Sequence, residues 1–286
     1  MTRSTMIVCT TPAEMQEWSR SQTADGRRVA VVPTMGALHD GHMALVEEAR
    51  RHAEAVVVTI FVNPLQFDRP DDLAAYPRPI DDDLALCEAR GVDAVYAPLA
   101  ATMYPEGFQT GVTPGHLGEL LEGAHRPGHF RGVTTVVTKL FHATRPDVAV
   151  FGEKDFQQLA ILRRMTSDLD FGIEIVGLPT VREPDGLAMS SRNRRLTPEQ
   201  RSAAVVVPRM LDAVAAATEH RPVTTADLVA IATEVAAAEP LARFEHLDIV
   251  DAETLEHLTM VDGSRPAVAL TAVWFGDVRL IDNRRL

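Results

Sequence analysis

Lysine is nearly missing from this chain: among 28 Lys and Arg residues it stands only at Lys139 and Lys154. An arginine-built basic set keeps its charge but gives up the compact ammonium. The two retained lysines are therefore candidates for a site that needs a point charge, with chance retention as the competing reading. Cysteine is as scarce. Cys9 and Cys87 lie far apart with no C-x-x-C spacing, which excludes a disulfide framework or a zinc ribbon and fits a reducing compartment. No apolar stretch approaches the ~20 residues of a membrane span, and Met1–Thr10 has no apolar leader segment. A soluble, cytoplasmic protein with no membrane partner is the expectation. Positive charge is outnumbered, with a net charge of −12, so no broad nucleic-acid surface is expected. A small anion such as ATP remains compatible, since a few local cations and a magnesium ion suffice. What is present is ordinary globular material, 46% hydrophobic over 286 residues, long enough for two domains of roughly 100–200 residues each.

The densest signal runs from Val29 to His42, VAVVPTMGALHDGH. A β-branched run ends in a short loop, Pro33-Thr34-Met35-Gly36, and His39 and His42 open an amphipathic segment, Met43–His52. Strand, glycine loop and helix N-terminus together favour an anion, because the unpaired N–H groups and the helix dipole both point at it. With a helix start near Asp40, both rings lean to one spot and can donate to phosphate oxygens as charge builds. A zinc pair is not the default, since only Asp40 is nearby as a further ligand.

Strand and helix signals then alternate. Strands are expected at Arg28–Val32, Ala55–Phe61, Asp93–Ala97, Val148–Phe151 and Ile173–Leu178, and helices at Ile80–Arg90, Val133–Ala143 and Asp155–Leu169. This alternation predicts an α/β fold, a doubly wound parallel sheet of Rossmann type. Ligands of such sheets sit beyond the C-terminal strand ends, so the loops after Val32, Phe61 and Phe151 are expected to meet in one crevice. After Leu178 the pattern changes. Thr197-Pro198-Glu199-Gln200 reads as a capping box with Pro at the first helical position. Thr224 caps a second helix through Ala238, and extended runs follow at Phe244–Val250, Ala267–Phe275 and Arg279–Ile281. The expected division is 1–178, a catalytic nucleotide-binding domain, and 179–286, a smaller α+β domain. The Gly/Pro-rich stretches Asp68–Tyr76 and Tyr104–Phe130 read as functional or mobile loops.

Further candidates fall at the expected strand ends and in the junction loop Arg182–Arg195. Asn63 and Gln66 are neutral amides suited to a hydroxyl or carboxylate, though Asn before Pro is also ordinary turn chemistry. Gly152-Glu153-Lys154-Asp155 opens a helix: Gly152 allows close backbone approach, Lys154 reaches a phosphate, and Asp155 either takes a ribose hydroxyl or caps its helix. Gln158 lies one turn on. Met189-Ser190-Ser191-Arg192 offers two hydroxyls and a guanidinium to a triphosphate, or is a solvated turn. Asp81, Asp82 and Asp83 either hold magnesium or complement a helix dipole. The basic loop Arg126–Gly132 either flanks an anionic substrate or pairs with surface acids.

The ordered set resembles the pantothenate synthetase (pantoate–β-alanine ligase) family, within the wider His-x-Gly-His nucleotidyl-transfer group. The matching segments are Val32–Gly36 with His39–His42, Ile60–Pro64 with Gln66-Phe67, Tyr76–Arg78, Leu121–Gly123, Arg126–Phe130, Phe151–Asp155, Asp185–Asn193 and Gly276–Asn283. They cover essentially the whole chain. Leu65 stands where the family usually has Met, and Pro79 where it has Thr. The resemblance implies ATP-dependent condensation of pantoate with β-alanine through a pantoyl-adenylate, releasing pyrophosphate and AMP. It implies catalytic roles for His39, His42, Lys154 and Arg192, with His42 as proton donor. Pro33, Thr34, Met35, Gly36, Gly41, Gly152, Glu153, Asp155, Val181, Met189, Ser190 and Ser191 would contact the nucleotide. Gln66, Gln158 and Asn63 would hold pantoate, Met35 also lining that pocket, and Asp82 would ligate magnesium. A homodimer is implied as well. The rivals are an adenylyltransferase acting on a phosphate ester, a tRNA synthetase without an evident anticodon-binding region, and a non-catalytic nucleotide sensor that would gain nothing from His42.

Overall fold

In a computed structural model, residues 6–68, 70–219 and 222–286 are described. Met1–Thr5, part of the stretch read for a leader, and Arg69, inside the expected Asp68–Tyr76 loop, lie outside them. The chain forms two compact units: Met1–Glu153 with Gln158–Pro179, and Lys154–Gln157 with Thr180–Leu286.

The first unit is built on six strands: β1 (Ile7–Cys9), β2 (Val29–Thr34), β3 (Ala55–Ile60), β4 (Ala94–Tyr96), β5 (Val148–Gly152) and β6 (Glu174–Leu178). All pairings are parallel, in the order β1-β4-β3-β2-β5-β6. The β-branched runs VAVVPT and AVVVTI occupy β2 and β3, where both sheet faces are covered and unbroken apolar character is needed. From β2 the chain steps through β3 to β4, then returns to β5 on the other side of β2. The winding reverses between β2 and β5, which makes the crevice above their C-terminal ends the expected ligand position.

Each sheet face has its own core. Trp18, Phe130, Val137, Phe141 and Leu162 pack on one. Met43, Val46, Ala49, Cys87 and Val92 pack on the other. The expected strands are present, but the helix read from Val133 begins at His129, because Gly128, at φ +87°, turns the chain one turn earlier. The helix Pro12–Ala24 was not anticipated, although Thr11 and Glu14 form a reciprocal capping box with Pro12 at the first turn. Strand β1, three residues long, gave no periodicity to read. The two long loops contain short helical turns, Pro70–Ala75, His116–Gly118 and Glu122–His125.

In the second unit, Thr197 caps Pro198–Ala203 as the sequence predicts. The helix then breaks and restarts as Val206–Thr218. A proline ring clashes with the carbonyl four residues back, and Pro208 stands at that distance from Ala204, where the break falls. Thr224 caps Thr225–Ala237 through the Asp227 N–H. Strands β7 (Val223–Thr224) and β9 (Met260–Val261) pair as a small ribbon. Strands β8 (Arg243–Asp251), β10 (Ala267–Phe275) and β11 (Val278–Arg285) form an antiparallel sheet in the order β11-β10-β8. The core of this unit gathers Met210, Leu211, Leu228, Ile249, Val273 and Phe275. Among the described residues no helix is long and apolar enough to cross a membrane.

Candidate active site

At the C-terminal end of β2, Thr34 turns its hydroxyl onto the Thr59 carbonyl at 2.6 Å and accepts from Gly36 N–H at 3.1 Å. Its oxygen thus shapes the loop. Gly36 takes φ +81°, and a Cβ there would stand 2.9 Å from an Asp83 carboxylate oxygen, so both backbone and space demand glycine. Asp83, 3% exposed, accepts from the Ala37 and Leu38 N–H groups at 2.8 and 2.7 Å. This carboxylate pins the loop from the first turn of the helix Ile80–Ala89. Within the acidic run, then, the buried member is a loop tether. Nothing in the 46 residues separating Asp83 from Ala37 announced the contact. Asp82 is exposed, and among the described residues no three His, Cys, Asp or Glu side chains gather to hold a metal.

The helix Asp40–His52 opens on a capping box made of histidines. His39 Nδ1 accepts from Gly41 N–H at 3.1 Å, and His42 Nδ1 accepts from His39 N–H at 3.3 Å. A nitrogen that accepts carries no proton, so in the neutral rings both protons sit on Nε2. The ring centroids are 4.1 Å apart. The sequence placed both rings at a helix start. The structure adds the tautomer: two Nε2–H donors held by backbone amides at the positive end of a helix.

The loop after β3 is locked as tightly. Asn63, 1% exposed, donates through Nδ2 to Gln66 Oε1 at 2.9 Å and to the Gly132 carbonyl at 3.1 Å. Its Oδ1 accepts from Leu65 N–H at 3.3 Å and from the Tyr104 hydroxyl at 2.8 Å. All four hydrogen-bonding capacities of this amide are used inside the chain. Asn63, expected as a substrate contact, braces Gln66. Gln66 Nε2 lies 3.3 Å from Met35 Sδ, which brings the loops after β2 and β3 together. The Gln66 carbonyl accepts from Arg126 Nη2 at 3.0 Å and His129 Nδ1 at 2.9 Å, while Arg126 Nε meets Asp68 at 2.6 Å. Within the basic loop, Arg126 thus pairs with an acid and, with His129, clamps this turn. Burial, reinforced by Arg126, pushes the His129 imidazole down to about 4. The neutral ring donates from Nδ1 to Gln66 and turns Nε2 to Arg126 Nη1 at 3.4 Å.

In the second unit, Val181 and Met189 face each other across a small hairpin, Met189 N–H donating to the Val181 carbonyl at 2.9 Å. Arg182 secures it with a bidentate pair to buried Asp282 at 2.7 and 3.0 Å. Ser190 caps the turn Ser191–Arg195 by accepting from Arg192 N–H at 3.3 Å. Asn283 Nδ2 donates to the Lys154 carbonyl at 2.9 Å, fastening the start of that short segment to β11. Lys154, Ser190, Arg192, Asn193 and Arg279 line one small cavity. Arg279 was not anticipated as a site residue; Glu245 holds it through two contacts of 2.9 Å, which push that carboxyl down to about 2. Among the described residues, Asn193 Oδ1 is buried with no hydrogen-bond partner. Asp155 is exposed on the turn Glu153–Asp155, and Gln158 is half-buried on the following helix Phe156–Asp168.

The family model for pantoate-beta-alanine ligase matches residues 7–285. A pantothenate synthetase structure from Thermus thermophilus is 46% identical, covers 98% of this chain and 99% of its own, and superposes with a TM-score of 0.89. A pantoate-beta-alanine ligase from Francisella tularensis, complexed with beta-gamma ATP and beta-alanine, is 30% identical over 98% of this chain and 97% of its own, with a TM-score of 0.80. On the match across nearly its whole length, the chain belongs to the pantoate–β-alanine ligase family.

Proposed function

We infer that this protein joins pantoate to β-alanine at the expense of ATP. In the first half-reaction a pantoate carboxylate oxygen attacks the α-phosphorus of ATP. The bond to the β-phosphate bridging oxygen breaks, and pyrophosphate leaves with that electron pair. In the second, the β-alanine amine attacks the acyl carbon of the pantoyl-adenylate. The amide C–N bond forms, AMP leaves, and the amine sheds a proton. A carboxylate is already a nucleophile, so the first step needs no strong base; positioning and charge stabilisation carry it.

The observation that supports this reading most directly is the pair of Nε2–H donors fixed by the histidine capping box. They suit phosphate oxygens that gain charge in the transition state, with His42 assigned as proton donor. Gln66, braced by Asn63 and beside Met35, suits an oxygen of pantoate, and Gln158 shares that role. Lys154, Ser190, Ser191 and Arg192 are assigned to phosphates. Gly41, Asp155 and Val181 are assigned to the adenosine, and the backbone of Pro33, Thr34, Gly36, Gly152, Glu153 and Met189 to the nucleotide's surroundings. Asp82 keeps a magnesium role only by family resemblance, with the ion arriving on ATP. A homodimer and a cytoplasmic location belong to the same reading. Sedimentation at the mass of two chains supports the first, and a single-chain mass contradicts it.

Oxygen-18 labelling tests the chemistry. With pantoate labelled in its carboxylate, one labelled oxygen should appear in the phosphate of AMP after turnover. Label-free AMP, with ADP or unlabelled phosphate as product, would exclude carboxylate attack on the α-phosphorus.

A further inference from the structure

Tyr104 lies outside every matching motif, on a loop 41 residues beyond Asn63. Two backbone groups fix the Asn63 amide. The Leu65 N–H can only donate, so the oxygen faces it; the Gly132 carbonyl can only accept, so the nitrogen faces it. The second Nδ2 proton then points at Gln66 Oε1, and Gln66 must present its nitrogen on the opposite side. There the neighbour is Met35 Sδ, a weak acceptor. Gln66 is thus an N–H donor poised for an oxygen ligand. Among the described residues, the remaining partner of Asn63 is the Tyr104 hydroxyl, which donates to Oδ1 at 2.8 Å, closer than Leu65 N–H at 3.3 Å.

We propose that Tyr104 is a positioning residue for the acid substrate: through Asn63 it holds the Gln66 amide with its N–H donors toward the pantoate oxygen. This rests on the assignment of Gln66 to pantoate. Donation into Oδ1 polarises the Asn63 amide and strengthens the Nδ2–H bond by which it holds the Gln66 amide. The phenol stays a donor at every working pH, because burial pushes its ionisation above the usual tyrosine range. Phe61 at 6.0 Å and Phe108 at 5.0 Å between ring centroids keep the ring in place when the hydroxyl is removed, so Tyr104→Phe deletes one hydrogen bond and little packing.

The test is a coupled set of variants assayed in the complete reaction: Tyr104→Phe, Gln66→Ala and the double variant, with KM read separately for pantoate, ATP and β-alanine. Tyr104→Phe should raise the pantoate KM by about tenfold, the equivalent of one ordinary hydrogen bond, and leave the other two KM values near wild type. The double variant should bind pantoate no more weakly than Gln66→Ala alone, since Tyr104 acts only through that side chain. Additive losses, or equal rises in all three KM values, would overturn the relay. Loss of pantoate dependence in the wild-type protein would instead overturn the ligase reading on which it rests.

Discussion

His39 and His42 were legible because one helical turn separates them, and local spacing is what sequence displays. Their tautomer was not, since it depends on which backbone amides the rings cap. Removing a donor used mainly in the transition state should cost on the order of 10²–10³ in kcat for His42→Ala. Single-turnover rates of adenylate formation check this, and near-normal turnover would remove His42 from the chemistry. Lys154 stood out by composition, and its backbone is fixed to Asn283. Lys154→Arg keeps the charge but enlarges and flattens its carrier. A sharp fall in turnover is expected; unchanged kinetics would mean that charge alone suffices.

Among elements, the strands and most helices were readable from β-branched runs and caps, whereas the contacts bracing the loops were not. Asp83 reads as one of three acids that either hold magnesium or serve a helix dipole, and its partners lie on another loop. Asp83→Asn turns an amide N–H toward a backbone N–H. It should cost about 1–3 kcal/mol of stability and weaken ATP binding, as denaturant unfolding and nucleotide titration would reveal. Intact stability would deny Asp83 its tethering role. Gly132 is required because a Cβ would strike the Leu65 carbonyl. His129, beside it, makes the clamp sensitive to acid. Its proton affinity is lower folded than unfolded, so the stability it contributes is fully present above about 6.5. That contribution is lost as pH falls toward about 4. The thermal midpoint of His129→Gln should vary less than wild type across that window, and equal slopes would contradict the neutral-ring assignment.

At the level of the whole molecule, the change from parallel to antiparallel architecture after Leu178 was visible as a change of periodicity. Assignment of Lys154–Gln157 to the second unit was not visible, because it depends on tertiary contacts such as Asn283 with Lys154. Acid should loosen the units in succession. Arg279 holds the Glu245 carboxyl down to about 2, so its stabilisation is present above about 4.5 and fades as pH falls through about 2. The first unit should yield at milder acid through His129. Tryptophan fluorescence can follow this, with Trp18 in the first unit and Trp274 in the second, and a reversed order would contradict it.

The proposed function turns on an acyl-adenylate formed from pantoate. The measurement that reaches it most directly is exchange of labelled pyrophosphate into ATP. Exchange should require pantoate and proceed without β-alanine. Exchange supported by a phosphate ester in place of pantoate, or none with any acid, would contradict it.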